Sequence, residues 1–229
     1  MNKNELVKNL VSMPVIFEES QYGVATMDLS SKLLSSRIVL LYGPIDETMA
    51  EIIIPQLLYL DSLNCDPIHM YISSPGGSID AGFSIIDVMH FIESPVYTYG
   101  LGMVASMASL ILMAGEPNYR SATLNSRILI HQPLGGTQGQ AEDIIRYAED
   151  IKRIKNKIIS FMYIHTGREF DKIAEDIDRD NIMYSYEAKN YGEYGIIDKV
   201  INMSSRKANM YAPRFKKLKE IVKEQKESK

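Results

Sequence analysis

Short apolar runs rich in β-branched residues alternate with amphipathic helical stretches along most of this 229-residue chain, and that alternation constrains the fold most. Strands that return to one sheet through helices make an α/β domain. Ile38 to Leu41 reads as a buried strand, Tyr42-Gly43-Pro44 as a turn, and a helix follows through Leu63 with Asp46 and Glu47 at its start. Pro55 falls inside that helix and predicts a kink. Ile68, Met70 and Ile72 alternate as the next strand, which ends at Ser73-Ser74-Pro75-Gly76-Gly77, where successive glycines let backbone N–H groups turn toward a ligand. A helix runs through Ile92 and Pro95 ends it. Val96 to Tyr99 forms a short strand, and Gly100-Leu101-Gly102 leads into a helix from about Ala105 to Ala114. A strand from Asn125 to Ile130 ends at His131. The longest helical pattern, polar over much of its surface, runs from Ala141 toward His165 after a Gly-rich entry, which suits projection from the body or packing on a partner subunit. Asp171 to Asp180 reads as a short acidic helix and turn, and Ile196 to Ile201 as a closing strand.

The length supports one domain with a real core, and 45% apolar against 24% charged residues excludes a disordered chain. Cys65 is the single cysteine, so no internal disulfide forms and a reducing compartment fits. It lies in an acidic turn, Asn64-Cys65-Asp66-Pro67, whereas reactive cysteines occupy electropositive surroundings. Met1 to Lys8 lacks the apolar core of a secretory signal, and no run approaches a membrane span, so a cytoplasmic protein without a membrane partner is expected. The net charge of −4 divides into −10 for residues 1–205 and +6 for Arg206 to Lys229, where nine Lys or Arg meet three Glu. Leu218, Ile221 and Val222 recur at helical spacing there, so Lys216 to Lys226 reads as a terminal helix with a narrow apolar edge, and nucleic acid is not an expected partner.

A nucleophile needs a base in reach and donors for an oxyanion. Ser106 stands where a strand runs into a helix, flanked by Gly102-Met103-Val104-Ala105 and Met107-Ala108, residues small or flexible enough for a substrate backbone to approach. Free N–H groups at the helix start favour a negative oxygen, so the backbone N–H groups of Gly77 and Met107 are candidate oxyanion donors. Among His69, His90, His131 and His165, only His131 ends a strand, which makes it the candidate general base. Asp176, Asp178 and Asp180 crowd together, and residue chemistry alone does not choose the carboxylate that orients the base.

Four motifs in order, Ser74-Pro75-Gly76-Gly77, Gly102-Met103-Val104-Ala105-Ser106-Met107, Ser126 through Gly136 and Asp178-Arg179-Asp180, resemble the Clp protease proteolytic subunit, the ClpP family, from about Met13 to about Met203. The resemblance implies a Ser106, His131, Asp180 triad, oxyanion donation from Gly77 and Met107, and an ATP-dependent serine endopeptidase acting on unfolded polypeptides. It also implies a ClpP/crotonase-like superhelix of ββα units: a peptidase domain over 15–203, with a projecting handle over about 132–165 between two stacked heptameric rings of one chain. Residues 1–14 would be a propeptide or axial loop and 204–229 a basic extension. Arg179 would pair across the ring contact. A AAA+ unfoldase of the ClpX, ClpA or ClpC type would dock at a pocket that includes Tyr71 and Phe91. No Gly-x-x-x-x-Gly-Lys-Ser/Thr occurs, so ATP would be the partner's cofactor, and no cofactor or metal is expected in this chain itself. Against the family pattern, Val104 and Ala108 replace Ala and Gly, His69 replaces an aromatic residue, and Asn190 to Gly195 holds three extra residues.

Three rivals share parts of this pattern. Gly100-Leu101-Gly102-Met103-Val104-Ala105 fits the G-x-G-x-x-A dinucleotide fingerprint if a strand, a turn and a helix coincide there, but the acidic residue expected about 20 positions on is missing at Asn118-Tyr119-Arg120-Ser121. A crotonase-like thioester enzyme would use the two oxyanion donors without the triad. A non-catalytic ring subunit would not need three filled triad positions.

Overall fold

A computed structural model of the chain describes residues 14–20, 23–208, 210 and 212. The expected helix from Lys216 to Lys226, and all of the expected N-terminal segment but Pro14, lie outside the described residues. The first elements are an antiparallel pair, β1 (Val15–Ser20) and β2 (Gly23–Asp28), then a short helix α1 (Leu29–Ser35) capped by Asp28.

The sheet begins with β3 (Ile38–Tyr42), which pairs in parallel with β4 (Ile68–Ser74). Strict alternation in β4 buries Ile68, Met70 and Ile72 on the helix-covered face and leaves His69, Tyr71 and Ser73 half-buried on the other. Strand order is β3-β4-β5-β6-β9, with β5 spanning Val96–Ala105, β6 Arg120–Thr123 and β9 Lys199–Ile201. These pairings are parallel, as is that of β5 with β7 (Arg127–Ile130); only β8 (Asn181–Tyr184), paired to β7, is antiparallel.

Gly100-Leu101-Gly102 does not end β5, contrary to the sequence expectation. Thr98 to Gly100 pair with β6, and Met103 to Ala105 pair with β7. Between the two halves the register against β4 jumps from Ile72–Gly100 to Ser74–Val104, so β5 carries two extra residues as a bulge, with Gly102 at φ +62°. Gly100 packs tightly: a Cβ there would stand 3.2 Å from a Val104 methyl. The dinucleotide fingerprint thus falls within one strand and has no turn to hold a phosphate.

Helix α2 (Glu47–Leu63) is capped by Asp46 and buries Ala50, Ile53, Leu57 and Leu60 along one stripe, with Pro55 on its exposed side. Ser78 caps α3 (Ile79–Phe91), and the seven residues of α4 (Met107–Met113) are all buried, which makes α4 the centre of the core. Helix α5 (Ala141–Thr166) is about 39 Å long at 1.5 Å per residue. Its first ten residues are exposed and its fully buried positions, Ile158, Ile159, Met162 and Thr166, lie near its end, so it projects as expected. Residues 190–195 wrap the base of this helix: Tyr194 N–H donates to Thr166 O at 2.8 Å, and a Cβ on Gly192 would stand 2.4 Å from the same oxygen. Short α6 (Phe170–Asp176) and α7 (Ser185–Lys189) flank β8.

Candidate active site

Ser106 is the single residue between β5 and α4, and its backbone has φ 55° and ψ −125°. Positive φ is costly for a residue with a Cβ and persists only when neighbours enforce it. Three contacts do so. Ser106 N–H donates to Leu129 O at 2.8 Å, its carbonyl accepts from Ser109 Oγ at 2.7 Å, and Gly76 abuts it from the far side. The result is the sharp strand-to-helix turn that lifts a nucleophile clear of its sheet.

His131 follows β7 and Asp180 precedes β8. The antiparallel register pairs Arg127 with Tyr184 and Ile130 with Asn181, so the next facing pair is His131 and Asp180. Their side chains meet, Nδ1 to Oδ1 at 2.9 Å, and Nε2 lies 2.9 Å from Ser106 Oγ. The other two aspartates are occupied differently. Asp176 accepts from Arg168 Nε at 2.6 Å and from the Tyr191 hydroxyl at 2.9 Å, and burial together with that carboxylate pushes the Tyr191 pKa up. Asp178 faces solvent near Arg179 at 3.8 Å, and the Arg179 side chain is itself 89% exposed. The remaining histidines stand apart from Ser106: His69 bonds Tyr99, and burial pushes His165 down to about 4, beside His90 and Arg120.

The candidate donors Gly77 and Met107 line the same cleft as Ser106. Ile45 donates to Gly76 O and accepts from Ser78 N–H, an isolated parallel bridge in which Gly77 directs its own N–H away from Ile45. A Cβ on Gly76 would lie 3.0 Å from Met107 N, so Gly76 sits against the start of α4 in the small space beside Ser106. That space opens into a cleft of about 560 Å³ lined by Leu110, Ile130, Ile154, Ile158 and Met162 as well as Ser106 and His131. Handle residues therefore form one wall of the cleft.

A family model described as Clp protease matches residues 21–204. The chain belongs to the Clp protease family. That membership makes the protein a Clp-type peptidase, with Ser106, His131 and Asp180 all inside the matched span. On the opposite face of the Clp protease sheet, Tyr71 stacks on Tyr99 with centroids 4.7 Å apart, and His69 packs on Tyr97 and Tyr99, in a continuous aromatic row. Phe91, the last residue of α3, is 79% exposed. Sequence reasoning missed Gly76 as the neighbour of Ser106, and Gln132 and Lys155 near His131. The handle's part of the cleft was readable in principle, since Ile151, Ile154 and Ile158 recur at helical spacing. Among the described residues no helix is long and apolar enough to cross a membrane.

Proposed function

We propose that the protein is the proteolytic subunit of an ATP-dependent Clp protease, a serine endopeptidase that cleaves unfolded polypeptides inside a closed chamber in the cytoplasm. The observation that supports this reading most is the continuous chain Ser106 Oγ, His131 Nε2, His131 Nδ1, Asp180 Oδ1, with both separations at 2.9 Å, at the mouth of an apolar cleft. Ser106 Oγ attacks a peptide carbonyl while His131 Nε2 takes its proton. Asp180 holds the imidazole in the tautomer that makes this possible and stabilises the imidazolium. The carbonyl oxygen gains negative charge between the N–H groups of Gly77 and Met107, each such donor being worth about 2.7–4 kcal/mol of barrier. His131 returns the proton to the leaving amine, and water then hydrolyses the acyl-enzyme by the same route. The apolar cleft beside Ser106 suits an apolar substrate side chain.

In the wider assembly, two stacked heptameric rings would enclose the cleft, with the handle and Arg179 at the ring contact. A AAA+ unfoldase would spend the ATP and dock near Tyr71 and Phe91. A serine-directed fluorophosphonate, combined with native mass spectrometry, tests nucleophile and assembly together. We expect label on Ser106 of a multi-subunit particle, and none in Ser106→Ala, which assembles but does not cleave peptides. Undiminished cleavage by Ser106→Ala overturns the assignment.

A further inference from the structure

Gln132 directly follows His131, and its side chain joins two segments that the triad does not otherwise connect. Its Nε2 donates to the Asp178 carbonyl at 2.8 Å, and its Oε1 accepts from Lys155 Nζ at 3.1 Å. Its backbone N–H donates to Ile177 O at 2.6 Å. The partners determine which way the amide faces, because an ammonium can only donate and a carbonyl can only accept. Lys155 belongs to α5, and Asp178 stands two residues before Asp180. Gln132 and Lys155 are half-buried and the bond between them is partly shielded from solvent, whereas the bond to the Asp178 carbonyl is exposed.

Among the described residues the Asp180 carboxylate has one hydrogen-bond partner, His131 Nδ1, and it is 69% exposed. A carboxylate held by one contact is located by its backbone, and residues 177–180 belong to neither α6 nor β8. We infer that Gln132 is a positioning residue that ties the handle helix, through Lys155, to the Asp178–Asp180 segment, so that the handle sets where Asp180 meets His131. This rests on the triad reading above. It makes the handle part of the machinery that readies the base, in addition to being a wall of the cleft.

Gln132→Glu is nearly isosteric and discriminates. A carboxylate still accepts from Lys155 but has no proton to give the Asp178 carbonyl. Lys155→Met removes the handle end of the link, and Lys155→Arg keeps a donor there. For each full-length variant, peptide-cleavage kcat and KM and the rate of fluorophosphonate labelling are measured, with assembly and melting temperature recorded alongside. We expect Gln132→Glu and Lys155→Met to lower kcat and labelling on the order of 10- to 100-fold with KM little changed. Lys155→Arg should lose less than Lys155→Met, and the Gln132→Glu/Lys155→Met double variant should be little worse than Gln132→Glu alone. Wild-type rates in the single variants, losses that only track assembly or melting, or fully additive losses in the double variant overturn the inference. A wild-type protein that takes no label at Ser106 sinks the peptidase reading instead, whereas labelled wild type with unaffected variants sinks this inference alone.

Discussion

Gly76 lies so close to the Ser106 turn that a methyl group would stand 2.6 Å from both Ala105 O and Ser106 Cβ, and its φ of +88° is one that residues with a Cβ rarely adopt. Neither neighbour can yield, because Ala105 is held in β5 and Ser106 by Leu129. Gly76→Ala should therefore displace Ser106 from His131 and reduce fluorophosphonate labelling on the order of 100-fold. Labelling at the wild-type rate would show that the Ser106 turn is not held from that side. Ser106 and His131 stood out in the sequence for different reasons: Ser106 lies at the start of a helix that follows a strand, and His131 alone among the histidines ends a strand. Asp180 was not legible from residue chemistry: aspartates at 176, 178 and 180 share one local composition, and only the cross-strand register of β7 and β8 separates them. The family resemblance supplied that choice before any geometry did.

Among the elements, the helices were read better than the short strands. Helix α5 announces itself by 26 residues of amphipathic pattern, and α2 by its cap and apolar stripe. Strands β6 and β8 have four residues each, too few for a period-2 signal, and β5 was cut short because glycines that make a bulge look like glycines that end a strand. The base of α5 also carries a titration signature. Burial chiefly, then His90 and Arg120, push the His165 pKa down to about 4. Unfolded histidine titrates near 6.5, so below that pH the unfolded chain binds a proton that the native chain refuses. The stability this group contributes is complete above pH of about 6.5 and is lost as pH falls from there toward 4. His165→Phe removes that proton while keeping a ring against Phe161 and His90. We expect the drop in melting temperature between pH 7.5 and pH 5 to shrink by a few °C, at about 2–4 °C per kcal/mol for a chain of this size. An unchanged drop would place the acid sensitivity elsewhere.

For the whole molecule, exposed apolar side chains gather on two separate elements. Ile52, Leu58, Tyr59 and Leu63 are 42–58% exposed on α2, while Ile144 and Ile145 are 43% and 52% exposed on the projecting half of α5. Under the assembly proposed above, one of these apolar surfaces would repeat around a ring and the other would join rings. The triad itself points the same way. An orienting carboxylate acts best when shielded from water, since solvent weakens its hold on the imidazole, yet Asp180 is 69% exposed beside an 89% exposed Arg179. A second copy packed over Asp178-Arg179-Asp180 would shield the carboxylate and give Arg179 a closer partner than Asp178 at 3.8 Å. Catalysis would then depend on assembly, and a free subunit would hold its triad loosely. We expect cleavage per subunit to fall on the order of tenfold or more as dilution dissociates the particle, and Arg179→Glu to cause the same loss at concentrations where wild type stays assembled. Sedimentation velocity run beside peptide cleavage across one dilution series measures both quantities. A sedimenting monomer with full activity would mean that Asp180 needs no cover and that the exposed Arg179 has no part in catalysis.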